Sequence, residues 1–325
     1  MTTPERQAPP DVVTFGETMA AIRAHGALRL GGGLGLSVAG AESNVAIGLA
    51  RLGHRVRWVG RVGADELGAL VLRTLRAESI DTDHAITDDT GRPTGLLLTE
   101  PRLGTLTRVS YYRAGSAGSA VSPADVLPAL VPGTRILHLT GITPALGPSA
   151  AEAALAAATT ARDFGITVCL DVNYRSRLWS HDRARTALQP LLALTDLLIA
   201  SEDELPLVLE RRSDARESEA VHSVLAAGVG EVVIKRGARG ATTFTVDGST
   251  DRAAQQVGAV DVVGAGDAFV AGYLSGLLGG ADTPARLHRA VTTAAFAVAT
   301  RGDWEGLPTR DELGLFDQPD GTTVR

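Results

Sequence analysis

A turn of small residues enters an apolar helix in the stretch Asp261-Val262-Val263-Gly264-Ala265-Gly266-Asp267, which continues as Ala268-Phe269-Val270-Ala271-Gly272-Tyr273-Leu274. Small residues at a helix start let backbone N–H groups converge on an anion, and the helix dipole adds its positive end. The pattern therefore predicts an anion hole at 264–266. Asp267, in the first turn, either caps the helix or accepts a proton from a hydroxyl that attacks a phosphate.

Strand and helix patterns alternate along the rest of the chain. Val12–Phe15 and Val56–Val59 are short apolar runs, whereas Val45–Leu52 has apolar residues at helical spacing and is followed by Gly53. The alternation continues with strands at 136–139, 167–171, 197–200 and 232–235 and helices at 65–78, 149–164 and 182–193. This order predicts an α/β fold with a mostly parallel sheet covered by helices on both faces.

Two segments, at about 18–38 and 94–112, depart from this alternation and predict short strands and turns. We expect them to form a small β-rich lid on a single α/β domain that spans 1–325. An exposed lid edge would also allow two copies to form a homo-oligomer through strand pairing.

Composition and charge exclude several classes of protein. Apolar residues make up 44% of the chain and charged residues 21%, which is typical of a soluble globular protein. The net charge of −6 is unsuited to nucleic acid, and neither a membrane span nor an apolar signal core is present. Cys169 is the only cysteine. We expect a cytoplasmic protein whose partners are small molecules, without disulfides or structural zinc.

Lys235 is the only lysine among the 31 basic residues, and the other 30 are arginines. A lysine stands at this position either by chance or because a compact ammonium is needed there. The loop Lys235–Gly240 follows the apolar run 232–234 and so lies at the carboxyl end of a predicted strand, where α/β sheets bind ligands. A basic turn without a ligand is the alternative interpretation.

Two separated motifs identify a family. Gly264-Ala265-Gly266-Asp267 resembles the C-terminal signature of the ribokinase, or PfkB, carbohydrate kinases, and Gly40-Ala41-Glu42-Ser43-Asn44-Val45-Ala46 with Arg51-Leu52-Gly53 resembles the N-terminal one. P-loop and dinucleotide-binding motifs are absent from the sequence. The resemblance spans about 13–313 and is closest to 2-keto-3-deoxygluconate kinases at Tyr111–Ser119, His138–Pro144, Asp171–Arg175, Lys235–Gly240 and Arg301–Asp303.

The resemblance implies a ribokinase-like three-layer α/β/α fold and an ATP-dependent transfer to a sugar acid hydroxyl. The expected reaction converts 2-keto-3-deoxygluconate to 2-keto-3-deoxy-6-phosphogluconate. Asp267 would deprotonate the hydroxyl, while the amides of Gly264, Ala265 and Gly266 stabilise charge on the phosphoryl group. Glu204, in Ser201-Glu202-Asp203-Glu204, matches the glutamate of the family's Asn-x-x-Glu motif and would act on Mg²⁺ indirectly. Ser201 stands where the motif has asparagine, and a surface helix start is the alternative interpretation of this acidic run. A monovalent cation is also compatible with the family.

The resemblance also implies the ligand contacts. The sugar acid would meet Gly40, Asn44, Tyr111, Tyr112, Arg113, Arg175, Asp267 and Asp303. ATP would meet Asn173, Arg175, Lys235, Arg236, Gly237, Ala238, Arg239, Gly240, Gly264, Ala265 and Gly266. Arg113 is the leading candidate for the carboxylate because a guanidinium forms two parallel hydrogen bonds with it. Alternatively, the two tyrosines pack the lid and Arg113 is solvated.

Two other functions remain open at this point. The protein could phosphorylate another sugar, such as 5-keto-2-deoxygluconate, fructose or ribose, because the lid chooses the substrate while the phosphate machinery is shared. It could also be a sugar-binding regulator without catalysis, because a fold does not establish a reaction.

Overall fold

The structure, a computed structural model, describes residues 8–103, 106–209 and 216–317. Its strands are β1 Val12–Phe15, β2 Met19–Ala24, β3 Leu34–Ala39, β4 Val56–Val59, β5 Arg61–Gly63, β6 Ile86–Asp88, β7 Leu96–Leu103, β8 Leu106–Tyr112, β9 Ile136–Thr140, β10 Thr167–Asp171, β11 Leu197–Ser201, β12 Glu231–Lys235, β13 Ala241–Thr245 and β14 Gly248–Arg252. Its α-helices are α1 Ala41–Arg51, α2 Glu66–Ala77, α3 Pro123–Val126, α4 Ile142–Ala145, α5 Pro148–Asp163, α6 His181–Leu192, α7 Glu217–Ala226, α8 Ala265–Leu278 and α9 Thr283–Val298. No helix of the described residues is long and apolar enough to cross a bilayer.

The central sheet has the strand order β14-β13-β12-β11-β10-β9-β1-β4. The strands from β12 to β4 pair in parallel, and β13 and β14 add an antiparallel edge. The predicted α/β class with a mostly parallel sheet is therefore confirmed. The sequence analysis missed the antiparallel edge, because its short strands follow a basic loop and carry no long apolar run.

Two apolar clusters cover the two faces of this sheet. Residues of α3, α5, α6 and α7 pack on one face, and residues of α1, α2, α8 and α9 pack on the other. The four residues of β1 are all buried, as expected for a strand enclosed by helices on both sides. The result is a three-layer α/β/α body in which α8 packs on one face of the sheet and its first turn lies near Lys235 at the carboxyl end of β12.

A second sheet, with the order β3-β2-β7-β8, lies at that end of the body. Strand β2 pairs with β3 in the antiparallel and with β7 in the parallel orientation, and β7 pairs with β8 in the antiparallel orientation. We call this sheet the lid. Its strands fall within or next to the two segments predicted for it, except that residues 104–105 lie outside the described part. The assignment of 1–325 to one domain stays a prediction, because it includes residues that are not described.

Candidate active site

Asp267 lies in the first turn of α8 and is buried, with 6% of its surface exposed. Its Oδ2 accepts a hydrogen bond of 2.8 Å from Asn44 Nδ2, and its Oδ1 accepts one of 3.3 Å from Asn173 Nδ2. The side-chain oxygens of both asparagines are buried and have no partner among the described residues. Two acceptors thus flank the carboxylate and remain available for hydroxyl groups of a ligand.

Burial raises the pKa of Asp267 to about 7, since a carboxylate loses hydration in this position. The hydrogen bond from Asn44 and the charges of Arg175 and Lys235 act in the opposite direction, and the charge of Asp171 adds to the rise. A carboxylate whose pKa is near neutrality combines a useful deprotonated fraction with a strong tendency to take up a proton. Asp267 therefore has the properties of a general base at neutral pH.

The first turn of α8 presents backbone amides beside this carboxylate. Ala265 N lies 3.4 Å from Val262 O, a long contact. The amides of Gly264, Gly266 and Asp267 have no hydrogen-bond acceptor in the part of the chain that the structure describes. Amides at a helix start that converge without acceptors are suited to bind an anion.

The backbone at Gly264 explains why this turn needs glycine. Gly264 has a φ of 76°, in the left-handed region, and a Cβ atom there would clash with the carbonyl group of Asp303. At Gly266, by contrast, the nearest atom to an added Cβ would be Lys235 Nζ at 3.8 Å. The space beside Gly266 is therefore open and borders an ammonium group, as a phosphate cradle requires.

Asp171 joins this ammonium to the rest of the site. It is fully buried at the end of β10, and its Oδ1 accepts a hydrogen bond of 2.7 Å from Lys235 Nζ. Its Oδ2 accepts one of 3.1 Å from Asn173 Nδ2, the same nitrogen that reaches Asp267. Asp171 begins one of the stretches that resemble the family, but it was not among the site residues predicted from the sequence.

Glu17 is a second functional candidate that the sequence analysis missed. It follows β1, is buried, and accepts hydrogen bonds from Arg113 Nε at 2.6 Å and from Ser116 Oγ. Arg113 Nη2 also lies 2.5 Å from the same carboxylate oxygen of Glu17. A Cβ atom at Gly95 or Gly118 would collide with the Glu17 side chain. The small residues near Tyr111–Ser119 thus make room for a carboxylate that orients Arg113.

This pairing leaves one edge of the Arg113 guanidinium available. Glu17 occupies the edge formed by Nε and Nη2, so that Nη1 and the second hydrogen of Nη2 form a further donor pair. That pair has the geometry that a carboxylate accepts in a bidentate manner. The guanidinium also lies over the ring of Tyr111, with its carbon 5.8 Å from the ring centre.

Asp267 and Arg113 line the same narrow cavity between lid and body. The expected substrate residues that join them there are Gly40, Asn44, Tyr111, Arg175 and Asp303. Tyr112 does not line this cavity and is 61% exposed, because successive residues of a strand point to opposite faces of the sheet. Asp303 already accepts a hydrogen bond of 3.0 Å from Arg23 of β2, so that it also connects the lid to the body.

A separate, mostly apolar pocket of about 380 Å³ begins at the other side of the α8 turn. Its lining includes Lys235, Gly237, Ala238, Gly240, Ala265 and Gly266, together with apolar residues of α8 and α9. Five of the expected nucleotide residues do not line it: Asn173, Arg175, Arg236, Arg239 and Gly264. Arg236 donates to Glu202 and Glu217, and Arg239 donates to Glu202, so both guanidinium groups are occupied by carboxylates.

Residues 9–310 match the model of the pfkB family carbohydrate kinases. The chain belongs to this family. It is therefore a sugar kinase, and the predicted family and enzyme class are confirmed. Among the known relatives of this PfkB kinase, 2-dehydro-3-deoxygluconokinase of Bacillus subtilis is 35% identical over 94% of this chain and 95% of its own. The 5-dehydro-2-deoxygluconokinase of Geobacillus thermodenitrificans is 30% identical over 86% and 84%, respectively.

A solved structure from E. coli, described as a ribokinase II in complex with ATP and Mg²⁺, superposes on this PfkB kinase with a TM-score of 0.88. It is 25% identical and covers 95% of this chain and 99% of its own. The ribokinase-like architecture expected from the motifs is thereby confirmed.

Glu204 of this PfkB kinase is held by backbone groups. Its Oε1 accepts a hydrogen bond of 2.7 Å from Tyr174 N, and its Oε2 accepts one of 2.8 Å from Ser201 N. Within 8–103, 106–209 and 216–317, no group of three or more His, Cys, Asp or Glu residues could hold a metal ion. The residues fit Mg²⁺ only in an arrangement where phosphates and water supply most ligands, which this ion accepts readily.

Proposed function

We propose that this protein transfers the γ-phosphoryl group of ATP to a hydroxyl group of 2-keto-3-deoxygluconate, giving 2-keto-3-deoxy-6-phosphogluconate. The observation that carries the proposal is the common cavity of Asp267 and Arg113, which combines a base of pKa about 7 with an unoccupied guanidinium edge. The base lies beside the amides of the α8 turn, where the transferred group would be held. The similarity to the B. subtilis enzyme supports the same substrate.

In the proposed reaction, the substrate carboxylate binds the Nη1 and Nη2 edge of Arg113, and Tyr111 and Gly40 shape the walls around the sugar. Asp267 takes the proton of the terminal hydroxyl group as its oxygen attacks the γ-phosphorus, and ADP leaves. The amides of Gly264, Ala265 and Gly266 stabilise the charge that spreads over the phosphoryl oxygens.

ATP would lie with its base in the apolar pocket and its phosphates beside Gly266 and Lys235. The loop from Gly237 to Gly240 contributes backbone and apolar surface there, whereas Arg236 and Arg239 act on the loop through Glu202 and Glu217. Mg²⁺ would neutralise charge on the phosphates, with Glu204 reaching its waters. A monovalent cation remains compatible with this arrangement.

The test of the substrate is an ADP-release assay with 2-keto-3-deoxygluconate, 5-keto-2-deoxygluconate, fructose, ribose and adenosine. We expect the first to have the highest kcat/KM. The second candidate is 5-keto-2-deoxygluconate, which the Geobacillus relative supports. A preference for it would change the proposed substrate but would leave the conclusion that the enzyme phosphorylates a sugar acid. A preference for a neutral sugar would overturn the acid specificity. Binding of sugars without any ATP consumption would overturn the reaction itself.

The role of Arg113 is tested with Arg113→Lys, which keeps a positive charge for the buried Glu17 but loses the second donor edge. We expect KM for the sugar acid to rise by about 10- to 100-fold, as for the loss of one bidentate charged contact. KM for a neutral sugar should change much less. Arg102→Ala, an exposed arginine of β7, is the matched control and should leave both values unchanged. Equal changes for acid and neutral sugars would contradict the assignment.

A further inference from the structure

Five buried or partly buried polar side chains form one continuous hydrogen-bonded chain beneath the α8 turn. The chain runs from Lys235 to Asp171, then to Asn173, Asp267 and Asn44. It therefore connects the ammonium at the proposed phosphate site to the carboxylate at the sugar site. Asp171 lies between Lys235 and Asn173 in this chain, and no role follows for it from the reaction described above.

Asp171 is unsuited to bind a ligand or to accept a proton from one. It is 0% exposed, and its two oxygens accept hydrogen bonds from Lys235 and Asn173. Its influence on a reaction must therefore pass through these two neighbours.

Lys235 needs such a neighbour because its side chain is only 16% exposed. Burial alone would lower the pKa of its ammonium, yet the charge of Asp171 and, more weakly, of Glu204 keep this pKa above its ordinary value. The lysine leaves the end of β12, and its Nζ reaches the end of β10 across the strand between them. The pairing thus holds the ammonium charged and at a fixed place, 3.8 Å from where a Cβ of residue 266 would lie.

Asn173 has an uncommon backbone conformation and donates a hydrogen bond to the same group. Its φ is 40°, which is uncommon for a residue other than glycine, and its Nδ2 donates to Asp171 as well as to Asp267. An amide that already donates to Asp171 is oriented when it meets Asp267. Asp171 thereby also orients the base.

We propose that Asp171 is a positioning residue for phosphoryl transfer, which holds Lys235 at the α8 anion hole and, through Asn173, holds the carboxylate of Asp267. This inference rests on the proposed function, since it assigns Lys235 to the phosphates. It also gives a reason for the single lysine of the chain: a compact ammonium fits between Asp171 and Gly266, where a planar guanidinium would need more space.

The first test compares Asp171→Asn with the wild type at saturating Mg-ATP. We expect kcat to fall by about 100-fold, as for the loss of an electrostatic group in the transition state, with KM for the sugar changed less than about threefold. The acidic limb of kcat/KM should move to lower pH by at least about 0.5 unit, because the charge of Asp171, which raises the pKa of Asp267, is lost. Of the other charged groups that face Asp267, Lys235 and Arg175 remain to favour its ionised form, and Asp303 lines the same cavity.

A purely structural role would lower the melting temperature without moving that limb. Asp182→Asn changes an aspartate whose side chain is 88% exposed on α6, and should leave kcat and the limb unchanged. An Asp171→Asn enzyme with the wild-type kcat and limb would overturn the inference.

The second test keeps the inference falsifiable if the single variant folds poorly. The double variant Asp171→Asn/Lys235→Gln removes both charges of the buried pair, so it should fold at least as well as Lys235→Gln alone, which leaves the Asp171 carboxylate without its ammonium. If Asp171 acts mainly through Lys235, the double variant should have the kcat of Lys235→Gln within about threefold, and the remaining difference is the part that acts through Asn173. A further 100-fold loss in the double variant would contradict this route. The substrate proposal is judged separately, because these comparisons can be made with whichever sugar the wild type phosphorylates.

Discussion

As the proposed base, Asp267 would have to meet two opposed demands. A base must be ionised at the working pH, yet the burial that makes it a strong proton acceptor also disfavours its charge and raises its pKa to about 7. The amide groups of Asn44 and Asn173 reduce this cost without neutralising the carboxylate. Burial of this one residue thus lowers the stability of the folded protein when Asp267 is ionised and makes its carboxylate a stronger proton acceptor.

The pKa of Asp267 predicts the pH dependence of activity. Below pH 7 the carboxyl group is protonated and cannot accept the hydroxyl proton, so kcat/KM for the sugar should fall about tenfold per pH unit and should level off above pH 7. Asp267→Asn should lower kcat by at least about 1,000-fold above pH 7, with a smaller difference at lower pH and with ATP binding largely kept. Steady-state rates between pH 5 and 9 measure this. Substantial activity in the asparagine variant would remove Asp267 from the role of base.

The same pKa predicts an effect on stability. The folded-state pKa of Asp267 is raised from 3.8 to about 7, so its contribution to stability is fully present below pH 3.8 and is lost as the pH rises through 7. The loss is about 4 kcal/mol at most. Relative to the wild type, Asp267→Asn should therefore gain in free energy of unfolding between pH 5 and pH 8. Denaturant titrations at these two pH values test this, and an equal difference at both would contradict it.

At the scale of elements, the two glycines at the start of α8 differ in why we expect glycine there: Gly264 for its backbone geometry and Gly266 for ligand binding. Gly264 is required by its left-handed backbone and by the carbonyl group of Asp303. The position of Gly266 has ordinary helical backbone, and an added methyl group would meet only the Lys235 ammonium at 3.8 Å. Replacement of each by alanine should therefore have different consequences.

Gly264→Ala should lower the free energy of unfolding by about 2–4 kcal/mol, because the backbone is strained and the turn must move. Gly266→Ala should leave stability unchanged or raise it by up to about 1 kcal/mol, since alanine favours helix. It should nevertheless lower kcat/KM for ATP by about 10- to 100-fold, because its methyl group would lie where we propose that the phosphate is held. Thermal unfolding and ATP kinetics distinguish the two. Full ATP activity in Gly266→Ala would contradict the anion hole.

At the scale of the whole molecule, polar contacts tie the lid to the body at several separate places. Arg113 pairs with Glu17, Arg23 pairs with Asp303, and Arg177 of the body donates to the carbonyl group of Val109 in β8. Two of these contacts involve residues of the sugar cavity. The lid is therefore joined to the body through side chains that also line this cavity. Pairing of two lids and a cytoplasmic location stay predictions.

The central sheet also predicts how the protein responds to acid. His138 in β9 is fully buried, with Nδ1 2.9 Å from Thr14 Oγ1, and burial lowers its pKa to about 3. Its contribution to stability is present above pH 6.5 and is lost as the pH falls toward 3. This histidine alone should lower the free energy of unfolding by about 1.4 kcal/mol per pH unit below 6.5. In His138→Gln this pH-dependent loss of stability should be missing. Unfolding curves at pH 8 and pH 5 should therefore show a smaller decrease in the free energy of unfolding than in the wild type.

The sequence by itself determined most of the order of strands and helices and the family, and it supplied the candidate site residues, whose roles stay predictions. Apolar periodicity and motif spacing are local properties, and they placed Asp267 at the start of a helix and Lys235 at the end of a strand, as the structure has them. Tertiary structure alone decided which side chains meet. Glu17 and Arg113 are 96 residues apart and Asp171 and Lys235 are 64 apart, and both pairs depend on which strands are neighbours in the sheets. It also decided that Tyr112 faces away and that Arg236 is occupied by carboxylates, because strand direction and long-range pairing are not encoded in a short motif.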